Sequence, residues 1–144
     1  MKKKRRVIAT GVFSIIHPGH ILFLKEAKKL GDELIVIVAR DVTVKKKKGK
    51  ILIPENQRLK VIKSLKYVDN AILGSKEDML KPIEKIKPDI IALGKNQKID
   101  ENFLKKEFKK RGINAKIVRI KSYWNGKLNS SKKIIKKIRG IYCK

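Results

Sequence analysis

Thr10-Gly11-Val12-Phe13-Ser14-Ile15-Ile16-His17-Pro18-Gly19-His20 is the stretch whose reading decides the fold. It lies where an apolar run, Val7 to Val12, which reads as a strand, passes into Gly19 to Leu30, which reads as an amphipathic helix. The first turn of a helix has free N–H groups and a partial positive charge, so such a turn is a ready anion site. Pro18 suits that turn, where its missing N–H is not needed. Gly11 and Gly19 let backbone come close to a ligand. His17 and His20 admit two readings: they cap and pack the helix start, or they donate to a phosphate-rich ligand. A zinc site needs further ligands, and the sequence offers only these two histidines and one cysteine.

Outward from this turn, strand and helix alternate. Gly31 stops the first helix, and Glu33 to Ala39 is a β-rich run that reads as a fully buried strand. Arg40-Asp41 end it on the side where ligands bind in open α/β sheets. Lys45-Lys46-Lys47-Lys48-Gly49-Lys50 read as a flexible basic loop, either solvated or placed to fold over a triphosphate. Pro54 to Lys66 is a helix with Leu59, Ile62 and Leu65 on its inner stripe and Arg58 off it. Val68 to Leu73 is a strand closed by Gly74, and Asp78 to Ile86 a helix ended before Pro88. Asp89 to Leu93 is a buried strand running into the polar turn Gly94-Lys95-Asn96-Gln97.

Asp100 to Arg111 is a helix with Asp100 as N-cap, Phe103, Leu104 and Phe108 inside, and Gly112 as its stop. Ala115 to Ile120 is the fifth strand. A loop with Tyr123 and the only tryptophan, Trp124, leads to Ser130 and a last helix, Ser131 to Arg139, with Ile134, Ile135 and Ile138 facing in. The alternation predicts an α/β fold: one domain over residues 1–144, with a parallel five-stranded sheet covered on both faces and right-handed crossovers.

Composition narrows the function classes. At 42% hydrophobic residues the chain folds rather than remaining disordered. Its 39 Lys and Arg against 13 acidic residues give a formal net charge of +26, which predicts attraction to polyanions, nucleotides among them. The lysines are spread over many elements instead of gathering on one aromatic-studded face, so nucleic acid is expected to bind only non-specifically. A lone cysteine, Cys143, rules out an intramolecular disulfide and suits a reducing cytoplasm. The N-terminal Lys2-Lys3-Lys4-Arg5-Arg6 before an apolar run imitates a signal peptide, but no small-residue cleavage site follows. No apolar stretch is long enough to span a bilayer, and no membrane partner is expected.

Four segments in order carry a resemblance: Gly11-Val12-Phe13-Ser14, His17-Pro18-Gly19-His20, Lys66-Tyr67-Val68-Asp69 and Ser130-Ser131-Lys132-Lys133-Ile134. With them the chain, from about residue 7 to residue 138, resembles the cytidylyltransferase-like nucleotidyltransferases, which implies a Rossmann-like fold of the HUP type. Ala39-Arg40-Asp41, Pro54-Glu55-Asn56-Gln57-Arg58 and Ile91-Ala92-Leu93-Gly94 with Gln97 most resemble the archaeal FAD synthase branch, which joins FMN to the AMP part of ATP, giving FAD and pyrophosphate. The neighbouring branch is glycerol-3-phosphate cytidylyltransferase, which uses CTP. Its Arg-Thr-Glu-Gly run is replaced here by the Tyr-Trp loop. Ser14 stands where the family usually has Asp, Asn96 where the flavin enzymes carry Asp, and Lys132 replaces a hydroxyl residue. These departures keep a nucleotide-sensing, catalytically idle member open as an alternative.

The resemblance implies roles residue by residue. His17 and His20 would hydrogen-bond the phosphates and stabilise the transition state, and Lys47 would neutralise the α- and β-phosphates. Arg58 would lie near the outgoing phosphates, and Ser130 and Ser131 would receive the pyrophosphate, with helix capping an equal role for Ser130. Thr10, Gly11, Val12 and Phe13 would shape the base and phosphate pocket, with Gly94 and Asn96 by the ribose. Tyr123 and Trp124 would either stack on the flavin or pack structurally. The resemblance also implies Mg²⁺ or another divalent cation arriving with ATP, without an assigned protein ligand, and a homodimer.

Overall fold

The computed structural model describes residues 3–143; Met1, Lys2 and Lys144, the second of them part of the basic N-terminal run, lie outside it. In chain order the elements are β1 (Arg6–Gly11), α1 (Pro18–Lys29), β2 (Glu33–Val38), α2 (Asp41–Lys48), α3 (Glu55–Lys63) and β3 (Asn70–Leu73). They continue with α4 (Lys81–Ile86), β4 (Ile90–Leu93), α5 (Glu101–Arg111), β5 (Lys116–Arg119) and α6 (Ser131–Tyr142). The five-stranded sheet has the order β3-β2-β1-β4-β5, and every described pair is parallel. None of the described helices is long and apolar enough to cross a membrane.

Strand side chains alternate between two cores, as the pleat requires. Leu34, Val36 and Val38 of β2 join Val7 and Ala9 of β1 in a core covered by Leu24 and Ala27 of α1 and Ile62 of α3. Ile35 and Ile37 join Ile8, Ile91 and Leu93 on the opposite face, under Ile83 of α4 and Leu104 and Phe108 of α5. Both faces are apolar, so the strands read as unbroken hydrophobic runs.

The chain builds β2 and β3 to one side of β1, then crosses over to build β4 and β5 on the other. The strand order therefore reverses between β1 and β4. In open α/β sheets, the crevice outside the carboxyl ends at such a reversal is where ligands bind.

Three expectations need correction. Lys45 to Lys48 are not a loop but the last turn of α2, which ends at Gly49 with φ +76°. Lysine is a good helix former, its charge is favourable at a helix C-terminus, and Gly49 supplies the left-handed cap. Phe103 lies off the inner face of α5, 53% exposed, because the stripe that faces the sheet runs through Leu104 and Phe108. Helix α6 runs on to Tyr142, and Ile138 is 48% exposed rather than facing in, since none of the described residues of α6 is buried in either core. Asp100 and Gly112 do cap α5 as expected: the Asp100 carboxylate accepts from the N–H groups of Asn102 and Phe103, and Gly112 has φ +68°.

Candidate active site

The turn after β1 is built around strain and close approach. Phe13 has φ +56°, a left-handed conformation that a bulky residue adopts at a cost of about 1–2 kcal/mol. Its buried ring offsets that by folding back over Gly11, where an added Cβ would stand only 2.8 Å from the ring. Gly19 plays a similar part, since a Cβ there would sit 2.7 Å from Cε1 of His17. Both glycines thus make room for a ring of their own chain.

His17 and His20 form a reciprocal cap on α1. The Gly19 N–H donates to Nδ1 of His17 at 3.0 Å, and the His17 N–H donates to Nδ1 of His20 at 3.2 Å. The rings lie 4.0 Å apart between centroids, and His20 also meets the edge of Phe13 at 5.6 Å. An Nδ1 that accepts carries no proton, so each neutral ring must carry its proton on Nε2. Burial lowers the pKa of His17. Burial, and then the charge of His17, push His20 down to about 4. At neutral pH both rings are therefore uncharged, each with one Nε2–H donor left over from the cap. The capping and phosphate-binding readings are complementary: the cap sets the tautomer that makes each ring a donor.

A second helix start lies beside this one. The Asn129 carbonyl is 3.9 Å from where a Cβ of Gly19 would be, so the N-terminus of α6 adjoins that of α1. Ser130 caps α6, its Oγ accepting from the Lys133 N–H at 3.2 Å. Two positive helix ends thus meet at one edge of the sheet.

Arg58 departs furthest from its expected place. It is 1% exposed, not off the buried side of its helix. Its Nε donates to Ile53 O at 2.8 Å, and its Nη1 to Val12 O at 2.9 Å and Ala39 O at 2.7 Å. Its Nη2 donates to Asp41 Oδ1 at 2.7 Å. Burial alone would raise the Asp41 pKa, but the Arg58 hydrogen bond, a backbone bond shared with Glu55 and the nearby arginine charges hold it below the ordinary value. Glu55, three residues before Arg58 on the same helix, is engaged by Arg40, at 3.1 Å. Arg58 therefore ties the loops after β1 and β2 to the entry of α3, with most of its N–H groups committed to the protein.

The match to known sequences covers most of the chain. The cytidylyltransferase-like family matches residues 8–137. This chain belongs to that family. Among its members, the FAD synthase of Ferroglobus placidus is 58% identical over 134 residues, which cover 93% of this chain and 88% of that one. The FAD synthase of Archaeoglobus fulgidus is 56% identical over 135 residues, covering 94% and 98%. A solved structure described as the lipopolysaccharide core biosynthesis protein of Thermoplasma volcanium superposes with a TM-score of 0.81 at 55% identity, covering 85% of this chain and all of that one.

Within this cytidylyltransferase-like frame, Thr10, Gly11, Phe13, His17, His20 and the start of α6 at Ser130 and Ser131 collect at the carboxyl edge of the sheet. Val12 is there too, its carbonyl held by Arg58. Gly94 and the exposed Asn96 lie on the loop after β4. Lys47 is exposed, in the last turn of α2. Tyr123 lies under Lys95, whose Nζ is 3.8 Å from the ring centroid. Trp124 folds over Gly126, and its carbonyl accepts from Asn129 Nδ2 at 3.2 Å.

Sequence reading does not assign Asp41 to the arginine that holds it, nor a site role to Arg119, and it leaves Gln97 as part of a motif without a contact. The available signals are a polar residue just past a strand end and a cation closing a strand. Among the described residues no group of three His, Cys, Asp or Glu could hold a metal ion. Asp41, the carboxylate that opens α2 just past β2, is already taken by Arg58. The described residues form no cage for a divalent cation.

The tryptophan loop gives a direct test. A Cβ at Gly126 would stand 2.1 Å from Cζ2 of Trp124, so Gly126→Ala must expel the indole. Trp124 is the only tryptophan, and its emission is expected to shift to the red in G126A, as steady-state fluorescence would read.

Proposed function

We propose that this chain transfers AMP from ATP to FMN, forming FAD and releasing pyrophosphate. The phosphate chemistry rests on one observation: two neutral imidazoles, each with its Nδ1 closed by the backbone and its Nε2–H free, stand where two helix N-termini meet. The choice of acceptor rests on the likeness to FAD synthases along nine-tenths of the chain.

The FMN phosphate is ionised at neutral pH, so its oxygen attacks the α-phosphorus without a general base. Catalysis is then positioning and stabilisation of charge. His17 and His20 donate to the oxygens of the reacting phosphates. The N–H groups of Ser131 and Lys132, with the Ser130 hydroxyl as donor, receive the departing pyrophosphate. Lys47, in the last turn of α2, is the cation this reading assigns to the α- and β-phosphates. Gly94 and Asn96 lie by the ribose, and Tyr123 and Trp124 by the isoalloxazine ring. Mg²⁺ enters as part of the substrate, coordinated by the phosphates of ATP. The working unit in this reading is a homodimer in the cytoplasm.

The test is incubation of the purified chain with FMN, ATP and Mg²⁺, following FAD by chromatography and pyrophosphate by a coupled assay. Both products are expected in equal amounts. Turnover of glycerol 3-phosphate with CTP, and none of FMN with either triphosphate, would overturn the acceptor while leaving the family intact.

A further inference from the structure

The reversal of strand order puts the carboxyl ends of β1 and β4 side by side, and one side chain bridges them. Gln97 Oε1 accepts from the Gly94 N–H at 3.0 Å, while its Nε2 donates to Thr10 O at 3.1 Å and Thr10 Oγ1 at 3.2 Å. The loop that carries Gln97 is held in turn from the next strand. Arg119, the last residue of β5, donates from Nη1 to Gly94 O at 2.9 Å and Gln97 O at 2.7 Å, and from Nη2 to Ile99 O at 3.2 Å. Its Nε also lies 3.9 Å from the Glu101 carboxylate at the start of α5.

Loop 94–99 has no regular secondary structure of its own, and Lys95, Asn96 and Lys98 on it are exposed. Its shape is set by these bonds, together with two short backbone turns, Gln97 N–H to Gly94 O and Ile99 N–H to Gln97 O. A guanidinium suits the task, since its rigid fork reaches three carbonyls at once where an ammonium would act as a single point.

We infer that Gln97 and Arg119 fix the floor of the crevice between β1 and β4, and that Arg119 is a positioning residue for the nucleoside half of the triphosphate. Arg119 touches no substrate. It acts through Gly94, Asn96 and Gln97, holding them in register with Thr10 so that the nucleoside finds a preformed surface. This rests on the adenylyl-transfer reading and adds to it the separation of two subsites. The nucleoside rests directly on the backbone of the turn after β4, whereas the acceptor side meets that turn only through the exposed Lys95 beside Tyr123.

The experiment compares the parent chain with R119Q, R119K and Q97L, measuring KM for ATP, KM for FMN and kcat, and binding of a non-hydrolysable ATP analogue by calorimetry without FMN. Thermal scans establish which variants are folded. R119Q and Q97L are expected to raise KM for ATP about tenfold, by analogy with the loss of a supporting hydrogen-bonded residue at a bound group. KM for FMN should stay within about twofold, and R119K should recover part of the loss. Q97L leaves the Arg119 bonds to backbone in place, so it decides the matter if R119Q does not fold. A folded variant that binds the analogue as the parent does, or that weakens ATP and FMN equally, overturns the inference alone. A parent chain that binds no ATP analogue overturns the adenylyl-transfer reading and the inference with it.

Discussion

Replacing His20 by asparagine is expected to lower the rate of adenylyl transfer by about two to three orders of magnitude, the usual loss for one donor to developing charge. The choice of asparagine separates two roles of the imidazole. Its Oδ1 lies where Nδ1 of His20 accepts from the His17 N–H, so the cap on α1 is kept. The Nε2–H donor is lost. His20→Gln reverses this, placing a donor near the Nε2 position, and is expected to retain more of the rate than H20N. Single-turnover measurement of FAD formation beside thermal unfolding would check both. Equal loss of rate in the two variants, or loss that follows unfolding, would count against the donor role.

The protonation state of His20 makes a further demand on the same site. With its pKa pushed down to about 4, the ring is neutral throughout the physiological range, so the rate should show no fall as pH rises from 6.5 to 8. The stability effect lies at lower pH. In the unfolded chain the ring takes its proton near 6.5, whereas in the folded chain it resists until about 4. This contribution to stability is therefore complete above pH 6.5 and falls as pH drops from 6.5 towards 4, by on the order of 1 kcal/mol per pH unit. Protonation also turns Nδ1 into a donor, which opens the reciprocal cap. Denaturant titrations at pH 7 and pH 5 should show the loss in the parent, and a smaller one in H20N.

Arg58→Ala is expected to destabilise the fold more than any change at the histidines or in the loop after β4. It removes a buried guanidinium and strips donors from Val12 O, Ala39 O, Ile53 O and the Asp41 carboxylate. The Asp41 carboxylate, 29% exposed, is solvated by water, so the cost lies in the carbonyls left without a donor, at about 1–3 kcal/mol for each buried one, or about 3 kcal/mol or more together. In a chain of this size that is a fall in Tm on the order of ten degrees. R58K keeps the charge without the fork and should fall between the parent and R58A. A Tm unchanged in R58A beside a large drop in kcat would mean that Arg58 acts on the phosphates directly.

The limits of sequence reading show most clearly at Arg58 and the lysine run. Helical spacing correctly makes Leu59 and Ile62 inward neighbours, but it assigns a charged residue one position away to solvent. Only the bonds from distant loops explain why Arg58 is buried. The lysine run reads as a solvated loop because a run of like charge beside a glycine suits an exposed loop as well as a capped helix end. The outcome turns on Val44, whose burial anchors α2 to the body. Phe103 and Ile138 read as inward because an apolar side chain at helical spacing implies a core. Leu104 and Phe108 take the inner face of α5 and leave Phe103 outside it, and no described residue of α6 is buried in either core.

The order of strands and helices, the caps at Asp100, Gly112 and Ser130, and the turn from β1 into α1 are legible in the sequence because each depends on residues within a few positions of one another. Thr10 and Gln97, 87 positions apart, meet only when the sheet assembles. So the sequence alone determined the alternating α/β plan and the imidazole pair at the head of α1. The tertiary structure decided that the pair closes its own cap and leaves two Nε2–H groups free, that α6 begins beside it, and that Arg58, Gln97 and Arg119 hold the surrounding loops. Local spacing sets which groups can bond along the chain, whereas the pairing of β1 with β4 and the burial of one guanidinium are set by the packing of the whole.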